Sequence, residues 1–559
     1  MHLSRLRTDS YRLDCRAKID CKLMLRHGFG MLKVDTKTIQ KMSTEYDVAI
    51  IGAGISGLCS AKILQEKYGL NVVVLEARDR VGGRTLTVKD SSFGYCDLGG
   101  SYIGSTQIKV KQLVEDLSLE LYKINDKGYD VHYFLGKRQL NKGTVPLGSS
   151  LLGILDVNNF WIHIDKMSKQ VPLDKPWLAA KADEWDKLTV KEYIHKKCWT
   201  RYGRSAASGF VQGILTSEPH EVSLLFFLWY LHSGGGIIRN WEISDGGAQE
   251  FKIVGGSQQI SNRLANRIGS DKVHLGSDVT HIYQQDSGSV LITCGYGVQY
   301  KAKKVISTVP PALLNRIRFN PPLPGLKLQA YQRMPVGSII KTVTFYDKTF
   351  WRQKDLSGMF TCDCVPVEEA YDDTKPDGTH PAIMGFVLAD SARDVCKLTK
   401  DERKKLVCEQ YAEMYGCQEA LQPVNYIEKN WMEDEYAGGC YVGVFPPGIL
   451  TKYGKVLRER FENVHFAGTI TASHWAGYME GAVESAERVS LEVAHSLGKI
   501  NEEEFKSLIS QTTTPGFPFL QFSFTQKYLM PSVPGLLGLS VLGVGTIALI
   551  VVSIYHKKS

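Results

Sequence analysis

The stretch that decides the fold is residues 46–84, which read YDVAIIGAGISGLCSAKILQEKYGLNVVVLEARDRVGGR. Within it, Asp47 to Ile51 is a short apolar run that is typical of a buried parallel strand. A turn begins at Gly52, and apolar residues then recur at roughly helical spacing. Val72 to Leu75 is a second, β-branched strand with Glu76 at its carboxyl end. This order of strand, glycine-rich turn, helix, strand and acid predicts a βαβ unit.

The three glycines of the turn each have a physical role. Gly52 permits the tight turn out of the strand, Gly54 lets the backbone approach a pyrophosphate, and Gly57 lets the helix pack closely on the sheet. The helix N-terminus directs free N–H groups and a partial positive charge towards phosphate. Glu76 lies about 20 residues past the last glycine, where a carboxylate accepts hydrogen bonds from ribose hydroxyls. Because this acid favours an unphosphorylated ribose, the pattern predicts FAD or NAD rather than NADP.

The segment after the second strand reads ARDRVGGR over residues 77–84 and resembles the RxGGR element that follows the second strand in flavin amine oxidases. Its two glycines let the backbone approach a cofactor, and Arg84 can reach phosphate. The resemblance implies FAD, with Arg78 as a further cofactor-binding residue. A basic surface turn is the alternative interpretation of this spacing. Further along, Gly100 and Ser101 predict a second approach of backbone to the cofactor.

The bulk composition is that of a large globular protein. A length of 559 residues predicts two or three domains. The net charge is +8, and residues 1–41 contribute +6 of it. The rest of the chain is therefore almost neutral, and it shows no basic patch of the kind that binds nucleic acid. The twelve cysteines form no C-x-x-C pair, and Cys362 and Cys364 are too close together for half of a zinc site. We therefore expect a reducing compartment, structural thiols and no metal site.

The N-terminal extension, residues 1–45, is basic and has no clear hydrophobic period. A transit peptide is one interpretation of its arginines, but four aspartates oppose that pattern. A disordered tail, or an alternative start at Met42, is the favoured interpretation.

The rest of the chain predicts an α/β fold, α+β overall, with a discontinuous Rossmann-like domain and an inserted domain. Helical patterns dominate from about residue 125 to residue 235, including Trp185–Lys196, whereas Val279–Tyr283 and Val305–Val309 are β-rich. We predict an FAD-binding domain from residues 46–124, 255–330 and 426–497, a mixed α/β substrate domain from residues 125–254 and 331–425, and a linker from residues 498–534.

The C-terminal residues 535–555 read GLLGLSVLGVGTIALIVVSIY, which contains no charged side chain. A helix of about 20 apolar residues spans a bilayer core of about 30 Å. A histidine and two lysines follow almost at the end of the chain. The pattern predicts a single-pass transmembrane tail anchor with the body of the protein in the cytosol, and a buried helix is the alternative.

Two motifs late in the sequence carry a family resemblance. One reads GGCY at residues 438–441, and the other reads HWAGYMEGA at residues 474–482. With these motifs the chain resembles the monoamine oxidases, flavin enzymes of mitochondrial outer membranes within the flavin-containing amine oxidase family. The resemblance runs from about Tyr46 to Lys499 and returns at residues 531–537. It covers most of the chain but not residues 1–41.

The resemblance implies a mode of cofactor attachment and a set of catalytic residues. The family attaches FAD through the cysteine of the first motif, which implies an 8α-S-cysteinyl bond at Cys440. Tyr441 and Tyr478 match two tyrosines that face each other beside the flavin and form a slot for an amine. Electron-rich ring faces favour positive charge that develops at the amine nitrogen. Lys341 matches a lysine that holds a water near flavin N5.

The resemblance also implies further contacts. Outside the first βαβ unit, the predicted cofactor-binding residues are Gly100, Ser101, Val279, Trp431, Cys440, Gly468, Gly477 and Met479. The predicted substrate-binding residues are Tyr102, Tyr230, Trp241, Gln249 and Tyr371.

Four departures from the family pattern bear on the substrate range. Ile470 stands where the family has an acid, and Ala248 is an extra residue before Gln249. Trp241 is large and falls near the family's cavity-gating position, and residues 143–155 lack a proline-rich entrance stretch. We expect Ile470 to alter hydrogen bonding near the flavin.

The predicted function is oxidative deamination of primary, and some secondary and tertiary, aryl-alkyl monoamines to aldehyde, ammonia or amine, and hydrogen peroxide. The predicted partners are the amine, oxygen and a lipid bilayer, with a homodimer as one predicted assembly and no nucleic acid. The implied location is the mitochondrial outer membrane, with the endoplasmic reticulum as the alternative. Rival functions are a polyamine or amino-acid oxidase and a membrane-anchored flavoprotein without turnover. The presence of Lys341, Cys440, Tyr441 and Tyr478 argues against the last of these.

Overall fold

The apolar run before the glycine-rich turn is a central strand of an eight-stranded sheet. The computed structural model describes residues 45–142, 150–243, 246–512 and 517–541. The N-terminal extension up to residue 44 and residues 542–555 of the predicted membrane span lie outside the described residues. The architecture combines sheets with helices, and the prediction of a mixed α/β fold is confirmed.

The described residues form two large sheets and two antiparallel pairs of short strands. The strands are β1 (Glu45–Ile51), β2 (Val72–Leu75), β3 (Thr87–Asp90), β4 (Gly94–Asp97), β5 (Leu121–Lys123), β6 (Tyr129–Phe134), β7 (Lys137–Asn141), β8 (Phe251–Ile253), β9 (Val273–His274), β10 (Val279–Gln284), β11 (Val290–Cys294), β12 (Gln299–Ser307), β13 (Arg318–Asn320), β14 (Ile339–Phe345), β15 (Leu356–Cys362), β16 (Glu369–Asp372), β17 (Ala382–Leu388), β18 (Asn425–Asn430) and β19 (Val464–Phe466).

Helices of the described residues connect the strands, and six of them, α3 to α8, follow one another in the chain between β7 and β8. They are α1 (Ile55–Tyr68), α2 (Ile108–Asp116), α3 (Leu151–Ser168), α4 (Ala182–Lys187), α5 (Val190–Lys197), α6 (Arg201–Leu215), α7 (Leu224–Ser233), α8 (Ile237–Trp241), α9 (Gln259–Ile268), α10 (Gly325–Gln332), α11 (Ala389–Val395), α12 (Lys400–Tyr415), α13 (Leu450–Tyr453), α14 (Met479–Ser496), α15 (Glu502–Thr512) and α16 (Val533–Val541).

The helix expected over Trp185–Lys196 is two helices, α4 and α5. Leu188 is extended, with φ −92° and ψ 142°, and this ends α4. Thr189 then begins α5 with a capping box, in which its side chain accepts from the N–H of Glu192 and the Glu192 side chain accepts from the N–H of Thr189. Periodicity alone did not predict this break, because both helices bury apolar residues.

The eight-stranded sheet has the order β13-β10-β11-β12-β1-β2-β9, and β19 also pairs with β12. Strand β1 runs parallel to both β12 and β2. Val48 and Ile50 belong to one hydrophobic core, and Ala49 and Ile51 belong to another. Because both faces of β1 are covered, its sequence is a continuous apolar run rather than an alternating one.

Helix α1 approaches the end of β1 very closely. A Cβ atom at Gly57 would lie 2.0 Å from the carbonyl oxygen of Gly52. On its other side the Ser56 hydroxyl lies 3.0 Å from the Ser485 hydroxyl of α14. The lack of a side chain at residue 57 therefore sets how near the N-terminus of α1 comes to the sheet.

The second sheet has the order β18-β14-β17-β16-β15-β6-β7 and is antiparallel except between β15 and β6. Lys341 of β14 stands opposite Phe386 of β17, and Phe386 stands opposite Glu369 of β16. Directly opposed residues share one face of a sheet. The register therefore puts these three side chains in a row across three strands.

The segment predicted as a linker includes α15 and residues that pack on the body of the protein. Phe522 is buried in the same core as β1, and Phe517 stacks on Trp475 with 5.7 Å between ring centroids. Over the ranges that the structure describes, no helix is long and apolar enough to cross a membrane. The domain boundaries drawn from the sequence stay predictions.

Cys362 and Cys364 form a disulfide at the end of β15. The expectation of reduced, structural thiols did not include this bond, since the spacing was considered only for zinc. The other cysteines of the described residues are free, and all of them except Cys396 are buried.

The contact between α1 and the turn leads to a test of stability. Gly57→Ala should destabilise the chain by roughly 1–3 kcal/mol, because the added Cβ has no room beside Gly52. The measurement is the unfolding midpoint of the purified protein. Gly325→Ala is the matched control, since a Cβ at residue 325 meets nothing within 4 Å and should leave the midpoint nearly unchanged. Equal midpoints for the two variants would contradict the steric argument.

Candidate functional site

A cavity of about 360 Å³ joins the two large sheets. Ile51 and Leu75 line it from the carboxyl ends of β1 and β2, whereas Ile339 and Lys341 line it from one face of β14. Ligands of open α/β sheets bind outside the carboxyl ends of the parallel strands. The position of the cavity is therefore that of a nucleotide site which continues onto a second sheet.

The glycine-rich turn leaves open space in front of helix α1. Gly54 caps the helix, and a Cβ built on it would meet no atom of the described residues within 4 Å, so the turn is open beside Gly54. Gly52, Gly54 and Glu76 all line the cavity, whereas Gly57 does not. A cradle of backbone N–H groups with this free space fits the pyrophosphate of a dinucleotide.

The acid after β2 is held by the same turn. Glu76 is buried, and its Oε2 accepts a hydrogen bond from the Ala53 N–H at 2.7 Å. Its Oε1 accepts from the Arg78 N–H at 3.0 Å. A carboxylate can accept more bonds than these two, so Glu76 keeps acceptor capacity towards the cavity.

Both predicted arginines line the cavity, but each also contacts other protein groups. Arg78 forms an ion pair with Asp434. Arg84 Nη1 donates to the carbonyl oxygen of Tyr441 at 2.7 Å, and burial lowers the pKa of this guanidinium. Arg84 therefore ties the first βαβ unit to the GGCY motif.

The remaining predicted cofactor-binding residues meet at the same cavity. Its lining includes Gly100, Ser101, Val279, Trp431, Cys440, Gly468, Gly477 and Met479. Trp431 is fully buried, and its Nε1 donates to the carbonyl oxygen of Leu98 at 2.8 Å.

The local backbone explains the glycine immediately before Cys440. Gly439 has a φ of +138°, and a Cβ there would lie 2.4 Å from the carbonyl oxygen of Gly337. The Cys440 N–H donates to that same oxygen at 3.1 Å. Burial raises the pKa of the Cys440 thiol to about 12, although Arg84 acts in the opposite direction. A neutral thiol thus stands at the cavity wall.

Lys341 is a buried cation held by oxygen atoms. Its Nζ donates to the carbonyl oxygen of Gly99 at 2.8 Å and to Ser101 Oγ at 3.3 Å. Burial, together with the nearby charge of Lys252, lowers the pKa of Lys341 to about 8. An ammonium has three donors, so one N–H is left for a water or ligand.

A buried charge network lies next to Lys341. Asp373 forms ion pairs with Lys252 and with Lys375, the latter at 3.2 Å. Burial by itself would raise the pKa of Asp373, but the two lysines outweigh it and lower the pKa to about 2. The network is therefore charged, and it lies outside the lining of the cavity.

Tyr441 and Tyr478 both line the cavity. The Tyr441 N–H donates to Thr216 Oγ1 at 3.0 Å, and the Tyr478 hydroxyl donates to Asn240 Oδ1 at 3.1 Å. Tyr230 stacks on Tyr478 with 6.0 Å between ring centroids. Burial raises the pKa of Tyr478 to about 12, so its hydroxyl stays protonated.

Among the predicted substrate residues, Tyr102, Tyr230, Gln249 and Tyr371 line the cavity, and Trp241 does not. The indole of Trp241 instead packs on Phe210, with 5.0 Å between ring centroids. Gln249 Nε2 donates to the Asn240 carbonyl at 3.3 Å, and Gln249 Oε1 has no hydrogen-bond partner among the described residues.

Two of the other departures from the family pattern, Ala248 and Ile470, lie in different places. Ala248 lines the cavity, whereas Ile470 lines a separate small cleft beside Trp177 and Arg458. The expected effect of Ile470 on hydrogen bonding near the flavin stays a prediction. Residues 143–149 of the entrance stretch lie outside the described residues.

Sequence reasoning missed several lining residues, of which Glu369 and Phe386 have the clearest structural role. Their strands are distant from Lys341 in sequence. In the sheet, however, Phe386 is one strand away from Lys341 and Glu369 is two strands away. A buried carboxylate three residues after a proline gives no local motif, so only the strand register could have found it.

Comparisons with known proteins agree with this geometry. A family model described as "Flavin containing amine oxidoreductase" matches residues 55–494. The chain is 48% identical over 501 residues to amine oxidase [flavin-containing] B of Canis lupus familiaris, covering 89% of this chain and 95% of that protein. It is also 48% identical to the Homo sapiens form B, with the same coverage of both chains. Identity to amine oxidase [flavin-containing] A of Canis lupus familiaris is 47% over 496 residues, which is 88% of this chain and 93% of that protein.

Solved structures show the same fold. Cyclohexylamine oxidase from Brevibacterium oxydans IH-35A superposes with a TM-score of 0.78 at 31% identity, covering 81% of this chain and 100% of that chain. Wild-type putrescine oxidase bound to putrescine gives a TM-score of 0.76 at 28% identity, covering 80% and 99%.

The buried ammonium of Lys341 makes a pH-dependent contribution to stability that can be measured. Its pKa is lowered from 10.5 to about 8 in the folded protein, so between these pH values the unfolded chain binds the extra proton. The wild type should therefore gain stability relative to Lys341→Met as the pH rises through this window, by about 1 kcal/mol per pH unit. The measurement is the unfolding midpoint of both proteins from about pH 7 to about pH 9.5. A difference that stays constant or grows in the opposite direction would contradict the buried charge.

Proposed function

Because this chain belongs to the flavin-containing amine oxidoreductase family, we propose that the cavity lined by Lys341, Tyr441 and Tyr478 is its active site. The chain is an FAD-dependent amine oxidase of the monoamine oxidase type. In this reaction an amine, water and oxygen give an aldehyde, ammonia and hydrogen peroxide. The observation that carries the assignment is the continuity of one cavity from the glycine-rich turn to the tyrosines.

FAD fits the residues that line the cavity. The open space before α1 suits the pyrophosphate, and the acceptor capacity of Glu76 suits the ribose hydroxyls. Bound FAD supplies the two-electron oxidation of the amine and the transfer of those electrons to oxygen. The protein residues bind, orient and desolvate the reactants.

We propose that Lys341 holds a water at the reacting end of the cavity. Two of its three donors are bound to Gly99 O and Ser101 Oγ, and this fixes the direction of the third. Its ammonium also lies over the ring of Phe386, with 5.3 Å from Nζ to the ring centroid.

Tyr441 and Tyr478 are proposed to orient the amine. The backbone N–H of Tyr441 is held by Thr216, and the hydroxyl of Tyr478 is held by Asn240. Their half-buried rings limit the access of water and present π-faces, which favour positive charge that develops at the amine nitrogen. Gln249 Oε1, which lacks a partner among the described residues, is the proposed acceptor for a substrate N–H.

We also propose that FAD is bound covalently to Cys440. The thiol lines the cavity and its backbone is fixed by Gly337, so Sγ has a defined position at the wall. Formation of the thioether removes one hydrogen from the thiol and one from the 8α-methyl group, and oxygen takes up both as hydrogen peroxide.

Acid precipitation tests this linkage. Denatured wild-type protein should keep its flavin absorbance in the pellet, whereas Cys440→Ala should release all flavin into the supernatant. Cys396→Ala is the matched control, because Cys396 is an exposed free cysteine outside the cavity, and its flavin should stay in the pellet. Free flavin from the wild type would refute the covalent bond and leave a non-covalent amine oxidase.

We propose that residues 535–555 anchor the enzyme in the mitochondrial outer membrane with the active site in the cytosol. The support is the uncharged sequence of this segment and its first residues in helix α16.

Truncation tests the anchor. A chain that ends at Pro534 should move from the membrane pellet to the supernatant in an alkaline carbonate wash and keep its amine oxidase activity. A chain that ends at Tyr555 lacks only the basic end and should stay in the pellet. Membrane retention of the shorter chain would contradict the proposal, and imaging of the full chain separates mitochondria from endoplasmic reticulum.

A further inference from the structure

One buried carboxylate in the cavity has no part in the chemistry described above. Glu369 lines the cavity and is only 9% exposed. Its Oε2 accepts a hydrogen bond from the Tyr371 hydroxyl at 3.1 Å. No lysine, arginine or histidine of the described residues forms an ion pair with it, in contrast to Asp373, which has two. Burying an ionised carboxylate without a cation costs free energy, so the site is suited to a ligand that carries a positive charge.

The helix beside Glu369 leaves space for the carboxylate. A Cβ built on Gly213 of α6 would lie 2.0 Å from Glu369 Oε1. Any larger residue at this position would push the carboxylate away. The carboxylate oxygen of Glu369 therefore occupies the space in the cavity wall that a side chain at residue 213 would otherwise take.

The strand register fixes how far this carboxylate lies from the reacting end. Glu369 and Lys341 stand opposite the same residue, Phe386, from its two sides. Two strand spacings separate them, which is about 10 Å between backbones. Because all three side chains share one face of the sheet, Glu369 lies along the cavity from Lys341 rather than behind it.

Aromatic rings line the path between these two positions. Tyr371 and Phe386 are in edge contact with 5.7 Å between centroids, and Phe386 and Tyr441 with 6.5 Å. A ring face attracts a cation as well as an apolar chain. The same walls thus accept an alkyl chain with a charged end.

We propose that Glu369 binds a positively charged group at the far end of the substrate, so that the enzyme prefers diamines to monoamines of the same length. The proposal rests on the assignment of the cavity as the active site. One nitrogen is oxidised as the neutral amine near Lys341, and the second stays protonated against Glu369. Aryl-alkyl monoamines still fit the aromatic walls but gain nothing from the carboxylate.

Protonation of Glu369 is consistent with this role. Burial raises the pKa of its carboxyl to about 7, although the Tyr371 hydroxyl acts in the opposite direction. A cation that binds beside it favours the ionised form. The carboxyl can therefore be neutral with a monoamine bound and ionised with a diamine bound.

The test compares three substrates of one chain length. They are cadaverine, n-pentylamine and the corresponding aminopentanol, and kcat/KM is measured for each by peroxide release. The wild type should prefer cadaverine to n-pentylamine by about ten-fold or more, as expected for a hydrogen bond to a charged group. Equal preference for the amino alcohol and cadaverine would overturn the proposal, because a neutral donor would then suffice.

Three variants assign the preference to one carboxylate. Glu369→Gln should abolish it, by lowering kcat/KM for cadaverine and raising it for n-pentylamine. Glu369→Asp retains the charge one methylene further back, so it should keep the preference and move the best diamine to a longer chain. Glu368→Gln is the matched control, since Glu368 is also a buried acid but lies outside the cavity lining, with Oε2 bound to the Leu388 N–H at 2.9 Å. It should keep the wild-type preference.

A binding measurement separates this proposal from the assignment of the active site. In oxygen-free solution, cadaverine should raise the unfolding midpoint of the wild type more than n-pentylamine does, and Glu369→Gln should lose the difference. Such binding without turnover of any amine would refute the active-site assignment and support the cation site. Turnover of n-pentylamine by both proteins, with no Glu369-dependent preference in rate or binding, would overturn the cation site alone.

Discussion

A steric constraint at the end of β1 governs the arrangement of the molecule. The carbonyl oxygen of Gly52 occupies the place where a side chain at residue 57 would stand. Helix α1 can therefore begin directly against the sheet, with its N-terminus in the wall of the cavity and Glu76 bonded to the same turn. If α1 began further from the sheet, the backbone N–H groups, the acid and the second sheet could not meet at one crevice.

Buried charges are distributed unevenly along that crevice. Their positions give different parts of the crevice different binding properties. Among the described residues, the buried Lys341 donates to two neutral oxygens, and burial lowers its pKa. Asp373 is paired with two lysines and stays ionised outside the lining. Glu369 is a buried acid bonded to a tyrosine. Lys341 and Glu369 lie on either side of aromatic rings, so this part of the cavity has a direction that an uncharged core of the same shape would lack.

Local patterns predicted the features that depend on neighbours in sequence. The glycine turn, the strands on either side of it and the acid after β2 follow from periodicity and backbone sterics over some 40 residues, and the structure has them at the predicted positions. The family motif around Cys440 also has a local cause, since Gly439 adopts a φ that other residues avoid. The division of the 185–196 segment into two helices was missed, because a capping box within an amphipathic run leaves the hydrophobic period intact.

The sequence by itself determined the nucleotide-binding unit, the mixed α/β class and the amine oxidase family, because these depend on short motifs whose chemistry is local. Only the tertiary structure decided which distant side chains share the cavity. Glu369 and Lys341 are joined through the register of three strands, and Gly213 of a separate helix leaves the space that the carboxylate fills. Trp241, which the family pattern placed near the cavity, packs into the core instead. Strand pairing and helix packing are set by the whole core, so no local spacing records them.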